Sequence, residues 1–139
     1  MSFLLDTNVV SELRKGERAD PNVSAWYASV SGAEKFLSVL TLGEIRRGIE
    51  GIRRRDEASA KTLDAWLAKL LADYSPRVLR VHEPIADEWG RLNVPDPLPV
   101  IDGLLAATAI IHGLTLVTRN VNDVERTGVA CVNPFDPSR

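Results

Sequence analysis

The sequence predicts an α/β fold: a parallel sheet of about five strands with helices on both faces. Short apolar runs of strand length alternate along the chain with stretches whose apolar residues recur at helical spacing. That alternation is the pattern of strands joined by crossover helices, which calls for a parallel sheet covered on both sides and for right-handed connections. A length of 139 residues, 45% of them hydrophobic, suits one buried core and is short for two. Residues 1–139 therefore read as a single domain, with 136–139 an irregular tail.

Phe3-Leu4-Leu5 is the first strand, a short apolar run that ends in Asp6-Thr7-Asn8. Val9 to Arg14 follows as a helix stopped by Gly16. Asp20-Pro21 opens a second helix, the acid as cap and the proline at the first helical position. Val23, Trp26, Tyr27 and Val30 give it one apolar face. Phe36 to Leu40 is a second buried strand. Thr41-Leu42-Gly43-Glu44 starts the third helix, which carries Arg46 and Arg47 and is weakened at its far end by Gly48 and Gly51. Asp56 to Tyr74 is the clearest helix; Leu63, Trp66, Leu67, Leu70, Leu71 and Tyr74 form a stripe for the core or for a partner. Arg77 to Val81 alternates charged and apolar residues, as a strand nearer the sheet edge does. Pro84 begins a helix with Ile85, Trp89 and Leu92 on one side, and Pro95, Pro97 and Pro99 then hold a loop. Ile101 to His112 is nearly all apolar and reads as a buried central helix ended by Gly113. Leu114 to Val117 and Val129 to Val132 are the last strands, separated by a helical turn from Asn120 to Glu125.

Charge and composition narrow the partners. A net charge of −2 gives no general attraction for polyanions. Arg46, Arg47, Arg53, Arg54 and Arg55 nevertheless crowd together, either as a solvated face or as a site for an anionic partner. No run reaches the length of a membrane span, and no charged and apolar leader succession opens the chain. The single cysteine, Cys131, excludes an internal disulfide and suits a reducing compartment. A cytoplasmic protein with no membrane partner is the expectation.

Four acids stand out, and each has an ordinary explanation when taken alone. Asp6 can cap the helix it precedes. Thr41-x-x-Glu44 matches a capping box, in which Glu44 folds back on the first backbone amide. Asp102 follows the proline loop where an N-cap belongs, and Asp123 follows Asn120 in the same way. Their joint placement says more. Asp6 follows the first strand, Glu44 lies one turn past the second, Asp123 lies just past the strand ending at Thr118, and Asp102 opens the helix leading back toward that strand. Helix starts that follow parallel strands share the carboxyl edge of the sheet, where α/β folds bind their ligands.

Two bare carboxylates at ~4 Å repel by about 4 kcal/mol at an intermediate dielectric, so four of them need raised pKa values, arginines or a cation. An all-oxygen set with Asn8, Thr118 and Asn120 as neutral neighbours suits Mg²⁺, or Mn²⁺ in its place. His82, His112 and Cys131 stand isolated in the sequence and lack zinc-ligand spacing. A Mg²⁺ ion held by a few carboxylates binds phosphates and activates water, so a phosphodiester is the natural substrate. Arg47, Arg53, Arg54 and Arg55 are then the candidates to hold its backbone.

Leu4-Leu5-Asp6-Thr7-Asn8, Thr41-Leu42-Gly43-Glu44, Asp102-Gly103-Leu104-Leu105-Ala106-Ala107-Thr108-Ala109 and Leu116-Val117-Thr118-Arg119-Asn120-x-x-Asp123 resemble the successive motifs of the PIN-domain nucleases. More narrowly, the chain resembles the VapC-type toxins of bacterial toxin–antitoxin pairs, including the FitB-like branch, from residue 2 to about Phe135. The resemblance implies a single PIN-like domain and a Mg²⁺-dependent endoribonuclease, the toxin of a type II pair. It makes Asp6, Glu44 and Asp102 metal-site and catalytic acids. The fourth place varies in the family between the positions of Asn120 and Asp123; only Asp123 is acidic here, so it is the expected fourth carboxylate, with Asn120 in support. Val124 stands where an aromatic is common, and Phe135 where tryptophan is common. The family further implies an RNA substrate, a homodimer that can join a larger assembly, and a cognate antitoxin whose tail covers the site.

Two other readings fit parts of the chain. An aspartate-based phosphatase or phospho-acceptor domain also places an acid after its first strand. It wants a lysine from a late strand, however, and no lysine occurs after Lys69; residue 8 is Asn where the two-acid motif needs Asp. A non-catalytic binding module on the same fold would keep the acids as caps, and metal titration separates it from an enzyme.

Overall fold

A computed structural model describes residues 1–137. Its strands are β1 (Phe3–Leu5), β2 (Lys35–Ser38), β3 (Val78–Leu79), β4 (Thr115–Val117) and β5 (Cys131–Val132). They form one sheet in the order β3-β2-β1-β4-β5, and every neighbouring pair is parallel. The connecting helices are α1 (Thr7–Leu13), α2 (Pro21–Ser29), α3 (Val39–Arg53), α4 (Glu57–Tyr74), α5 (Glu83–Leu92), α6 (Val100–His112) and α7 (Val121–Val124).

The pleat sorts the strand residues into two cores. Leu5, Leu37 and Val117 point to one face, where α1 to α4 cover them with Val9, Val23, Ile45 and Leu67. Leu4, Phe36 and Leu116 point to the other, beneath Leu105, Ala106 and Ala109 of α6. Handedness explains which helix goes where. The chain steps outward from β1 to β2 to β3, and right-handed crossovers place α1 to α4 on one face. It then returns past β1 to β4 and β5, so α5, α6 and α7 cross on the opposite face. The reversal between β1 and β4 opens a crevice at their carboxyl ends, where ligands bind in doubly wound sheets.

Several local expectations are corrected. β2 stops at Ser38, two residues short of Leu40, because the Ser38 hydroxyl accepts the Leu40 N–H at 3.0 Å and caps α3. The helix therefore begins before Thr41, and the Thr41/Glu44 capping box does not form. Asp102 is no cap either, since α6 starts at Val100 behind Pro99. Asp123 lies inside α7, with Asn120 in the cap position. α3 runs through Gly48 and Gly51, because the buried Ile45 and Ile49 anchor it against roughly 1 kcal/mol lost per glycine. The apolar stripe of α4 faces the chain's own core, with Leu67 and Tyr74 buried. The edge strands β3 and β5 are shorter than the runs Arg77 to Val81 and Val129 to Val132 suggested, each being paired on one side only.

Asp20 caps α2 as read, and Asp56, read as the first residue of its helix, is the cap of α4. His112 ends α6, and Gly113 takes the left-handed conformation (φ 66°) that a side chain there would strain. Asp136 and Pro137 of the expected tail are irregular; Ser138 and Arg139 lie outside the described residues. Among the described residues no helix is long and apolar enough to cross a membrane.

Candidate active site

The site begins where β1 ends. The Asp6 N–H donates to the Val117 carbonyl at 2.9 Å, which ties the end of β1 to β4. Its side chain is buried, 5% exposed. Oδ1 accepts the Thr7 N–H at 2.6 Å, so Asp6 does cap α1. Oδ2 accepts from the Thr118 hydroxyl at 2.7 Å and from Asn8 Nδ2 at 3.2 Å. The Thr118 oxygen in turn accepts the Asn120 N–H at 2.9 Å, and Asn8 Oδ1 accepts the Arg119 N–H at 3.3 Å. Asp6, Asn8, Thr118 and Asn120 are thus one hydrogen-bonded unit across two neighbouring strand ends. Capping and a site role coexist at Asp6, because the N-cap faces the crevice.

Glu44 joins from α3 through a residue that sequence reasoning passed over. The Thr7 hydroxyl donates to Glu44 Oε1 at 2.5 Å. A threonine directly after a strand-end acid was legible as a hydroxyl near the site, but its partner on another helix was not.

Asp102, in the first turn of α6, feels the charge of the other three acids. Burial raises its pKa to about 6, reinforced by the charges of Asp6, Asp123 and Glu44. Burial likewise pushes the Asp6 carboxyl up; hydrogen bonds from Thr118 and Thr7 pull it back, and the charge of Glu44 adds to the rise. Among the described residues, no lysine or arginine forms an ion pair with any of the four.

The donor set fits a hard divalent cation. Among the described residues no three acidic, histidine or cysteine side chains form a ready cage around one point, since oxygens of Asp6 and Glu44 are turned toward hydroxyl and amide donors. Mg²⁺ needs no such cage: it takes one or two carboxylates and keeps water and phosphate in its other positions. Thr41 Oγ1, one turn before Glu44, is a buried hydroxyl without a partner, a further polar atom on that side of α3. His82 and His112, isolated in sequence, stand with ring centres 5.8 Å apart. Among the described residues they have no third ligand, so zinc gains nothing.

The arginines divide. Arg53 reaches Glu50 at 3.0 Å, Asp64 at 2.8 Å and Glu57 at 3.3 Å. Arg46 reaches Asp64 at 2.7 Å and Glu50 at 3.1 Å. The pairs to Asp64 and Glu57 bolt α3 to α4. Arg53 ends α3 nine residues after Glu44, about 13 Å further along the axis, and Arg54 and Arg55 lie exposed beyond it. The structure therefore does not bring Arg53, Arg54 and Arg55 to the acids. Arg47, exposed and one turn past Glu44, is the nearest of the four along the helix.

A family model described as the PIN domain matches residues 3–129. The VapC ribonuclease Y4jK of Sinorhizobium fredii is 31% identical over 140 residues, covering 98% of this chain and 99% of its own. Toxin FitB of Neisseria gonorrhoeae is 31% identical over 142 residues, covering 96% of this chain and 98% of its own. The crystal structure of FitAcB from Neisseria gonorrhoeae matches with a TM-score of 0.88 at 29% identity, over 96% of this chain and 98% of that one.

Proposed function

The chain belongs to the PIN-domain family, on its VapC and FitB branch, and we propose that it is a Mg²⁺-dependent endoribonuclease serving as a toxin. What supports this reading is that Asp102 feels the charges of Asp6, Asp123 and Glu44 near the topological switch point, and that among the described residues no lysine or arginine forms an ion pair with any of the four. Kinship with VapC ribonucleases makes it a hydrolase of RNA phosphodiester bonds, and the aspartate-based phosphatase reading falls with the family assignment.

Asp6 and Asp102 would hold the cation, with Glu44 and Asp123 beside them. When bound, Mg²⁺, or Mn²⁺ in its place, supplies charge neutralisation, a Lewis acid for a phosphate oxygen and a water of lowered pKa. The protein's part is preorganisation. Thr118, Asn8 and the Thr7 N–H hold the Asp6 carboxylate in one orientation, and the Thr7 hydroxyl makes Glu44 move with β1. Burial of Asp6 keeps bulk water from screening the charge that attracts the cation. A cognate antitoxin is the protein partner, in keeping with the relative named toxin FitB, and a homodimer is the expected assembly.

Cleavage of total RNA by purified wild type beside Asp6→Asn tests the reading. Wild type should cut with Mg²⁺, stop with chelator and resume on add-back, while Asp6→Asn stays inactive throughout. Full cleavage in chelator would overturn the metal dependence.

A further inference from the structure

Resting on the ribonuclease reading, we propose that Arg119 seats the substrate strand: its guanidinium, held over the Phe135 ring beside the acid crevice, binds a backbone phosphate and offers its outer side to a nucleobase. The backbone fixes where this residue begins. Arg119 directly follows Thr118, whose hydroxyl donates to Asp6 at 2.7 Å, and the Arg119 N–H donates to Asn8 Oδ1 at 3.3 Å. The side chain then leans away from β1, its guanidinium carbon 4.0 Å from the centre of the Phe135 ring. That ring has a firm mount. The Phe135 N–H donates to Asn133 Oδ1 at 3.0 Å, and its carbonyl accepts from Asn22 Nδ2 of α2 at 3.0 Å.

Arg119 is exposed, and among the described residues it has no ion-pair partner. Glu12 feels its charge but is already engaged by Lys15 at 2.9 Å and by the Asp20 N–H at 2.8 Å. Several other cations are spent. Arg46 and Arg53 are neutralised on α3 and α4, Arg91 by Asp87 and Glu88, and Arg126 holds the carbonyls of Leu92 and Asp96. A guanidinium held over a ring keeps its outer side and N–H groups free, an arrangement that can take an unpaired base while holding a phosphate. A peptide carboxylate would use the edge alone.

The surface continues in the same direction. Between α2 and the segment after β5 lies an open groove of about 510 Å³ lined by Asn22, Trp26, Val121, Asn133 and Pro134, which neighbours Arg119 in the chain at Val121 and Phe135 at Pro134. The strand path therefore runs from the β1–β4 crevice over Arg119 toward the β5 side. The arginines of α3 lie on the other side, with β2.

The test is cleavage of a labelled single-stranded RNA oligonucleotide in Mg²⁺, with its binding followed by fluorescence anisotropy in an Asp102→Asn background. Arg119→Gln should raise KM and Kd roughly tenfold, change kcat less than about threefold, and flatten the salt dependence of log Kd by about 0.7. Arg119→Lys should restore the salt slope but only part of the affinity. Phe135→Leu should weaken binding with the slope intact, because the charge remains while its platform is lost. Arg119→Gln with the KM, Kd and slope of its parent would overturn the proposal. So would unchanged RNA binding together with weakened capture of a co-expressed antitoxin, which would assign the residue to the protein partner. A wild type that neither binds nor cuts RNA would instead overturn the ribonuclease reading, a pattern distinct from RNA binding that ignores Arg119.

Discussion

Arg53 and Asp102 stand in opposite electrostatic surroundings. Around Arg53 the signs match. Glu50 and Asp64 are each held below the usual carboxylate range by hydrogen bonds from Arg53 and then Arg46. Around Asp102, burial and the charges of Asp6, Asp123 and Glu44 lift its pKa, and among the described residues it has no ion-pair partner. The α3–α4 cluster is complete in itself and needs no ligand. The crevice cluster is incomplete, which is how a site differs from a brace built of the same residue types. A net charge of −2 cannot show this; only the location of the uncompensated charge does.

The largest effect that would break the comparison comes from removing one crevice acid. Asp6→Asn or Asp102→Asn should lower kcat/KM by roughly 10³-fold or more, the scale of lost metal-borne charge stabilisation, while leaving the metal-free fold as stable or more so. Steady-state cleavage beside denaturant melts reads both. Unchanged turnover would return Asp6 to a capping role alone, since Asn caps nearly as well.

A smaller change should follow pH. As pH rises past 3.8 the unfolded chain ionises Asp102 first, and the folded protein does so only near 6. This group therefore favours folding at low pH, and that contribution is lost across the interval. After discounting for solvent screening it is about 1–2 kcal/mol. It should show as the difference between wild-type and Asp102→Asn stability curves, because the lowered carboxylates of α3 and α4 titrate alike in both. A constant difference from pH 4 to 7 would mean that the acids do not share one field.

Next comes the Thr7 hydroxyl. Thr7→Val should slow cleavage roughly tenfold through a freed Glu44, and Thr7→Ser should restore most of the rate, the scale of one hydrogen bond to a charged group. The smallest effect is expected at the brace. Arg53→Gln should change activity less than about twofold, because exposed ion pairs contribute little. Replacing Arg53, Arg54 and Arg55 together with Gln should move the RNA salt slope less than Arg119→Gln does. A larger shift from the triple variant would put the strand path on α3.

How much was legible in the sequence follows the same division. Apolar alternation and helical spacing revealed all five strands and the parallel order of elements, because burial on two faces leaves a strong pattern. The four acids were legible as candidates for one edge of the sheet, since strand ends fix where helix starts must lie. Cap assignments were less so. Ser38 and Thr41 are both capping residue types, and the point where β2 stops pairing decides between them. The arginine cluster misled because proximity in sequence cannot reveal that Asp64, eleven residues beyond Arg53 on another helix, takes up its charge. Thr7 and Arg119 were visible in their motifs but gained partners only across the fold, Glu44 for one and Phe135 for the other.

The most direct measurement is thermal unfolding of metal-free wild type and Asp102→Asn, each titrated with Mg²⁺. If the crevice acids are an uncompensated cation site, wild type begins no more stable than the variant near neutral pH. Its Tm then climbs with Mg²⁺ as ligand binding to the folded state requires, while the variant responds weakly. Equal Mg²⁺ responses in the two proteins, or none in wild type up to millimolar metal, would contradict a metal site built on Asp6 and Asp102.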